Sequence, residues 1–312
     1  MPDLIEKNAE IPAQRGGAAA GAKAEKPRSL GLDAWHDLRR RPVFIISAVL
    51  IVVLVLFAIA PGLFTSVDPR AGDLSKHYLS KPNYLHLFQA DWFGYDGQGR
   101  SIYARMIYGA RASMVVGICV TAGVTVLGGL LGMAAGYYGG WVDTIISRFT
   151  DMVFGIPLLL GALVILNAFS VRTVWSVVFA LVVLGWTQMT RVMRGSVITV
   201  KQSDYVTAAK ALGAGTGRIM FKHILPNAIA PVIVVATIAL GGYIAAEATL
   251  SFLGIGLQDP TISWGIDINS AQKVIRQAPF VLFFPAGMLS LTVLAFIMLG
   301  DAVRDALDPK LR

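Results

Sequence analysis

Few residues in this 312-residue sequence combine type and spacing suited to chemistry. The stretch Gly213-Ala214-Gly215-Thr216-Gly217 has the glycine density of a phosphate cradle. A phosphate-binding loop follows a strand and ends in Gly-Lys-Ser/Thr, so that backbone amides and the lysine meet the phosphates together. Here a helical pattern precedes the glycines and that ending is missing, which argues against nucleotide binding. His77 and His86 share one polar segment without metal-ligand spacing, and His36 and His223 are isolated. Cys119 is the single cysteine, so neither an internal disulfide nor a cysteine zinc site can form. It lies in an apolar run, where a thiol serves as a small core residue. No nucleophile–base set is visible. The expectation is a chain with no catalytic residue, no metal and no cofactor of its own. Two acids stand out: Glu247 within an apolar stretch and Asp151 at the end of another. A carboxylate there is costly and by default faces protein or water. Glu247 is either part of a solute pathway or a hydrogen-bonded structural group.

Composition sets what must position these residues. The chain is 55% hydrophobic and 15% charged, with a mean hydropathy of +0.63. Soluble domains carry about 25% charged residues, and disordered chains combine low hydrophobicity with high charge. Neither description fits. Residues 1–35 are the exception: polar and rich in Ala, Gly and Lys, they bury too little to offset chain entropy and read as a disordered tail. A cleavable signal would place its apolar run within about the first 15–30 residues, whereas here it follows Arg39-Arg40-Arg41.

Six apolar stretches follow, at residues 43–64, 114–137, 152–169, 174–189, 228–252 and 280–299. The first is uncharged and, at about 1.5 Å per residue, reaches about 30 Å, the thickness of a bilayer core. The pattern predicts an all-α membrane protein with six transmembrane helices. Only Ser170-Val171-Arg172-Thr173 separates the third from the fourth, which predicts a tight helical hairpin; five or seven spans would follow if that hairpin were misread. Pro157 and Pro285 predict kinks inside the third and sixth helices. Gly128, Gly132 and Gly136, four apart, predict a close helix contact, and Gly241-Gly242 with Ala246 a second.

Orientation follows from Lys and Arg, which favour the cytoplasmic side. With the N-terminus inside, the triple arginine, Arg148, Arg191, Arg194, Lys201, Lys210, Arg218 and Lys222 all fall on the cytoplasmic side. Arg100, Arg105 and Arg111 fall outside and oppose the bias. The expected topology is N-in, C-in. Residues 1–41 then form a basic cytoplasmic tail, 42–65 the first span and 66–110 an extracytoplasmic segment. A five-helix core at 111–303 contains an inner segment at 190–227, and 304–312 close the chain as a cytoplasmic tail. The net charge of +8 reflects basic loops rather than a nucleic-acid surface. Within the outer segment, residues 99–110 suit a short interfacial helix.

The inner segment carries the strongest pattern. Ser203 is placed to cap a helix, Asp204 favours its first turn, and Thr207-Ala208-Ala209-Lys210-Ala211 has high helix propensity. Gly213 is placed to end that helix in a left-handed conformation. A turn and a second short helix follow, and then a proline break at Leu225-Pro226 into the fifth membrane helix. On the residues alone, this basic helix–turn–helix fits either docking to a cytoplasmic protein or lying on lipid headgroups.

This segment resembles the EAA loop of the integral-membrane permeases of ABC importers. That pattern reads Glu-Ala-Ala, three residues, Gly, nine residues, then Ile-x-Leu-Pro. Ala208, Ala209, Gly213, Leu225 and Pro226 fall on it, while Thr207 replaces Glu and His223 stands where Ile is usual. Other segments resemble the dipeptide/oligopeptide/nickel branch, and within it the C-type subunit. These are Gly94-Tyr95-Asp96-Gly97-Gln98-Gly99-Arg100, Ile107-Tyr108-Gly109-Ala110-Arg111, Lys222-His223-Ile224-Leu225-Pro226-Asn227 and Ser263-Trp264-Gly265. Glu247-Ala248-Thr249-Leu250-Ser251-Phe252 and the closing Leu299-Gly300-Asp301 stretch belong to the same set. The resemblance covers about residues 35–312, and the order of the motifs carries it.

The resemblance implies the MetI-like fold of importer permeases in the cytoplasmic (inner) membrane. It implies a non-catalytic subunit that passes di- or oligopeptides, paired with a second permease as a heterodimer. Two cytoplasmic ATPase subunits or domains would use ATP and Mg, and an extracytoplasmic binding protein would deliver the solute. Tyr205, Thr207, Ala208, Ala209 and Gly213 would meet the ATPase, and Leu225 and Pro226 would set the exit into the fifth helix. Import of nickel or another small solute is the alternative within the family. An ATP-independent secondary transporter or channel is the alternative outside it.

Overall fold

A computed structural model describes residues 38–307. His36, most of the expected N-terminal tail and the last five residues lie outside the described residues. Among those described, the regular structure is helical apart from two isolated antiparallel bridges, Gly72 with Arg100 and Tyr95 with Ser101.

Helix α1 (Pro42–Ile59) opens on a proline, whose missing N–H costs nothing in a first turn, and stops before Pro61. The outer connection holds the short α2 (Leu74–His77), capped by Asp73. The chain continues through α3 (Ile102–Tyr138), α4 (Gly140–Phe154), α5 (Leu158–Asn167) and α6 (Val174–Lys201). Next come α7 (Asp204–Ala211), α8 (Thr216–Arg218), a π-helical turn (Ile219–Ile224) and α9 (Leu225–Ala228). Helices α10 (Ala230–Phe252), α11 (Trp264–Ala271) and α12 (Phe280–Leu307) complete the described chain. Helices α1, α3, α6, α10 and α12 are long and apolar enough to cross a membrane, and α4 with α5 makes a sixth if that broken pair counts as one span.

The third span departs from the expected kinked helix. Pro157 does not lie inside a helix; it stands at the N-cap of α5, and α4 and α5 meet at 83°. Pro157 offers no N–H and pushes Ile156 away from helical geometry, so the helix ends instead of bending. The ten residues of α5 rise only about 15 Å, half a bilayer core. Helix α4 is held to α6 by charge: Arg194 donates to Asp143 at 2.6 Å, and Arg191 to Asp151 at 2.8 Å. Arg191 also lies 3.9 Å above the Phe154 ring. The hairpin expected through residues 170–173 is present between α5 and α6. Pro285, by contrast, sits inside a helix that runs on to Leu307.

The glycines of α3 explain its close contact with α6. A Cβ on Gly128 would come within 2.5 Å of the Trp186 carbonyl oxygen, and one on Gly136 within 2.9 Å of that of Arg194. Gly132 lies against the Thr190 carbonyl between them. In lipid, such small residues let backbones approach and gain dispersion contact. A Cβ on Gly241 of α10 would similarly lie 3.1 Å from the Val293 carbonyl oxygen of α12, whereas one on Gly242 would meet open space.

Residues 99–110 do not form a separate interfacial helix, because residues 102–110 are the first turns of α3. Ser101 caps them, accepting from the Ala104 N–H at 3.3 Å, and Ile102, Met106 and Ile107 are buried. Burial of Arg105 is possible because it pairs with Asp267 of α11, donating from Nε at 2.8 Å and from Nη2, while Nη1 reaches the Pro69 carbonyl at 3.2 Å. Arg100 donates to Asp96 at 2.8 Å. Two of the three outer arginines that oppose the inside bias are therefore neutralised.

Burial pushes the Asp267 carboxyl above its ordinary range, and Arg105 pulls against it. Arg105→Ala leaves burial opposed only by the Arg100 charge and should cost about 3 kcal/mol or more, since removing one partner strands the other's charge. A raised carboxyl pKa destabilises the fold where the group is ionised, so the loss should shrink as pH falls and Asp267 takes up a proton. Thermal unfolding in detergent across pH checks this; a loss independent of pH would assign the effect to packing.

Candidate functional site

The inner segment begins later than its sequence pattern indicated. Helix α6 runs for 28 residues, about 42 Å, so residues 190–201 prolong it beyond the apolar stretch instead of opening a loop. The chain turns only at Gln202 and Ser203.

Helix α7 is short but firmly held. Asp204 sits in the first turn, where the helix dipole favours an acid. Ser203 occupies the N-cap without a capping side-chain bond. Val206 is fully buried in the main core, alongside Ile219 and Ile224 of the π turn. At the other end Gly213 has φ +78°, the left-handed conformation expected of it. Its N–H reaches the Lys210 carbonyl, and that of Ala214 reaches Ala209, each at 3.0 Å, which closes a Schellman cap. Tyr137, at the inner end of α3, adds a third anchor. Lys201 and Lys210 lie 5.5 and 5.9 Å from its ring centroid, within cation–π range.

With Val206 turned inward, Tyr205, Thr207, Ala208 and Gly213 are exposed, and Ala209 is half-buried. Sequence reasoning missed Leu212, the most outward large apolar residue of this loop, 88% exposed beside Gly213. Phe221 is exposed as well. The available signal was a large apolar side chain in an otherwise polar and small-residue loop. Small exposed residues flanked by Tyr205 and Leu212 form a surface on which another protein's backbone could approach closely.

Leu225 packs half-buried against the main core. Pro226 is exposed and, instead of breaking the chain, falls within the first turn of α9, where a missing N–H is tolerated. The path from α8 into α10 thus stays largely helical, widened by the π turn.

Glu247 is distant in sequence from this surface and is fully buried. Ser113 of α3 donates to Glu247 Oε2 at 2.9 Å, and Ser251 to Oε1 at 2.8 Å. Ser263 adds a third hydroxyl. This arrangement ties α3, α10 and the start of α11 together and gives the carboxyl a structural place rather than an exposed one. Glu247→Ala should cost about 2–4 kcal/mol, from a cavity plus stranded hydroxyls. Glu247→Gln keeps an acceptor and a donor that rotating hydroxyls can meet, and should stay close to the parent. Paired melting and transport measurements check this; loss of transport in Glu247→Gln with unchanged melting would return Glu247 to a pathway role.

The remaining polar residues singled out by sequence are placed separately. His77 stacks on Tyr95 at 4.2 Å, and His86 pairs with Asp91 at 2.8 Å. The His223 carbonyl accepts from Asn227 at 2.8 Å.

Comparison with known proteins agrees with this geometry. The family described as "Binding-protein-dependent transport system inner membrane component" matches residues 128–312. Residues 29–82 match "N-terminal TM domain of oligopeptide transport permease C". The dipeptide transport system permease protein DppC of Alkalihalophilus pseudofirmus is 38% identical over 280 residues, covering 90% of each chain. The oligopeptide transport system permease protein OppC of Bacillus subtilis is 34% identical over 308 residues, covering 99% of each. The glutathione transport system permease protein GsiD of Pectobacterium atrosepticum is 40% identical over 223 residues, covering 72% of this chain and 74% of that one.

Proposed function

This chain belongs to the inner-membrane components of binding-protein-dependent transport systems, and from that membership we propose that it is a permease subunit forming part of the path for di- and oligopeptides in an ATP-driven importer. Support for the substrate class comes from relatives named for dipeptide, oligopeptide and glutathione transport. The chain makes no covalent chemistry and holds no cofactor. A second permease completes the path, an extracytoplasmic binding protein delivers the peptide, and two cytoplasmic ATPase subunits or domains use ATP and Mg.

In this reading α7 is the coupling element. Tyr205, Thr207, Ala208, Ala209 and Gly213 enter the ATPase surface, with Leu212 as the apolar anchor. Closing of the ATPases on ATP displaces α7. Because Val206 is locked in the core and Gly213 closes the helix, the push passes to α6 and, through Leu225 and Pro226, to α10. The membrane helices then shift between outward- and inward-open states, which requires the nucleotide to favour one state over the other. The observation that carries this proposal is the combination of an outward face of small residues with a buried pin and a closed cap on one eight-residue helix.

The test is co-expression with neighbouring transport genes, affinity purification, and reconstitution into liposomes. Recovery of a second permease with P-loop ATPases, and ATP-dependent uptake of labelled dipeptides, is expected. Solute movement by the chain alone without ATP would overturn the coupling, and uptake of nickel but not peptide would overturn the substrate.

A further inference from the structure

Of the three outer arginines Arg100, Arg105 and Arg111, Arg111 is the one without a partner among the described residues. It is exposed on α3, and its guanidinium has no hydrogen bond or ion pair among the described residues. It sits where two grooves meet. The upper groove, about 700 Å³, mixes apolar residues such as Val115, Val174 and Ile262 with Asp68, Arg70, Tyr108 and Trp175. The lower groove, about 320 Å³, runs between α1 and α3 and is apolar apart from Arg111: Val55, Ala58, Ile59, Met114, Val115 and Ile118. Arg111 and Val115 line both.

Depth and charge define the occupant. Arg111 lies level with Ala58 and Ile59, in the last turn of α1, where the apolar helix meets the outer interface. Trp175, exposed at the start of α6, and Tyr108 are the amphipathic rings that favour headgroup level. Helix α1 is peripheral, its Val49, Val52 and Leu56 are exposed, and the lower groove lies beside this apolar surface. In the upper groove, Asp68 is engaged by the Arg70 backbone N–H at 2.9 Å, and Arg70 donates to the Pro260 carbonyl at 3.3 Å. These bonds leave both charges in place, and with Asp68 set against Arg70 and Arg111 the groove keeps one net positive charge. A cation above an apolar slot matches an amphiphile with an anionic head.

We propose that this junction is a specific phospholipid site of the outer leaflet, with the phosphate on Arg111 and one acyl chain in the slot between α1 and α3. The lipid would hold peripheral α1 against the core and supply the counter-charge that Arg111 lacks.

The test is native mass spectrometry of the full chain with its co-purifying subunits, titrated with palmitoyl-oleoyl phosphatidylglycerol or with the matching phosphatidylcholine. One phosphatidylglycerol should be retained per chain in preference to phosphatidylcholine. Arg111→Gln should weaken retention about tenfold, as expected for losing a charge-assisted contact. Arg111→Lys should keep most of it, and Arg276→Gln, at another exposed outer arginine, should change nothing. Ile118→Trp fills the slot while keeping the charge and should also expel the lipid, which guards against Arg111→Gln failing to fold. Equal loss in Arg276→Gln, equal retention of phosphatidylcholine, or retention in Ile118→Trp would overturn the site. So would displacement of the lipid by inorganic phosphate, or by the tripeptide Ala-Leu-Ala in an Arg111-dependent way, the last assigning the groove to peptide.

Discussion

Replacing Ala208 by tryptophan should lower ATP-driven uptake to about one hundredth or less, while the membrane bundle melts as before. Ala208 is exposed on α7 and no side chain covers it, so a larger residue meets only solvent in the isolated chain. Its cost to the helix is a few tenths of a kcal/mol, the propensity difference between alanine and tryptophan. The docking surface is another matter. Small residues there permit close approach, and a tryptophan would hold the two surfaces apart across the whole contact. Losses at the centre of an interface commonly reach about 2–4 kcal/mol, and about 2.7 kcal/mol is a hundredfold. Leu212→Ser, which removes an anchor without adding bulk, should cost less, about tenfold. Val206→Ser provides the contrast, because it strands a hydroxyl in the core and should loosen α7 itself. The checks are uptake in liposomes, recovery of ATPase on the purified chain, and melting. An Ala208→Trp variant that transports normally would remove this face from the coupling path.

Much of this arrangement was legible in the chain because the deciding forces are local. A glycine after an alanine-rich turn closes a helix wherever that helix lies, and Gly213 does so. Uncharged runs about as long as a bilayer is thick become spans for the same reason. The failures arise where the partner is remote. Arg100 and Arg105 made residues 99–110 look like an interfacial helix, yet Arg105 is neutralised by Asp267, 162 positions away, and no periodicity records that. In the third span, hydropathy ran through Pro157 without a break, while the backbone could not. Asp143 and Asp151 of α4 are paired with Arg194 and Arg191 of α6, 51 and 40 positions away, which hydropathy does not record either. Leu212 escaped notice because an exposed leucine is ordinary in sequence and informative only once its neighbours are known to be small and outward.

The second large effect lies in the membrane. Gly132→Leu should prevent accumulation of folded protein, whereas Gly129→Ala, three residues away on the same helix, should be nearly silent. A Cβ on Gly132 would run into the Thr190 carbonyl and lie 2.9 Å from the Met193 Cβ and 3.0 Å from the Arg194 nitrogen. Two of these three are backbone atoms, so no rotamer change relieves the clash. Either α3 and α6 separate along their whole contact or the variant does not fold. Separation is costly because the lipid outside is as apolar as the side chains, and the gain from packing depends on the short distance itself. Overpacking in well-filled cores costs about 1–3 kcal/mol even where side chains can yield; here the obstruction is backbone. On Gly129 a Cβ would meet only the Met193 methyl, at 3.8 Å. Alanine there also improves helix propensity, so a small gain is as consistent as no change. Membrane abundance and detergent melting measure both. If Gly132→Leu accumulated and melted like the parent, α3 and α6 would not meet through this face, and the lever from α7 into the membrane would have to run through α10 alone.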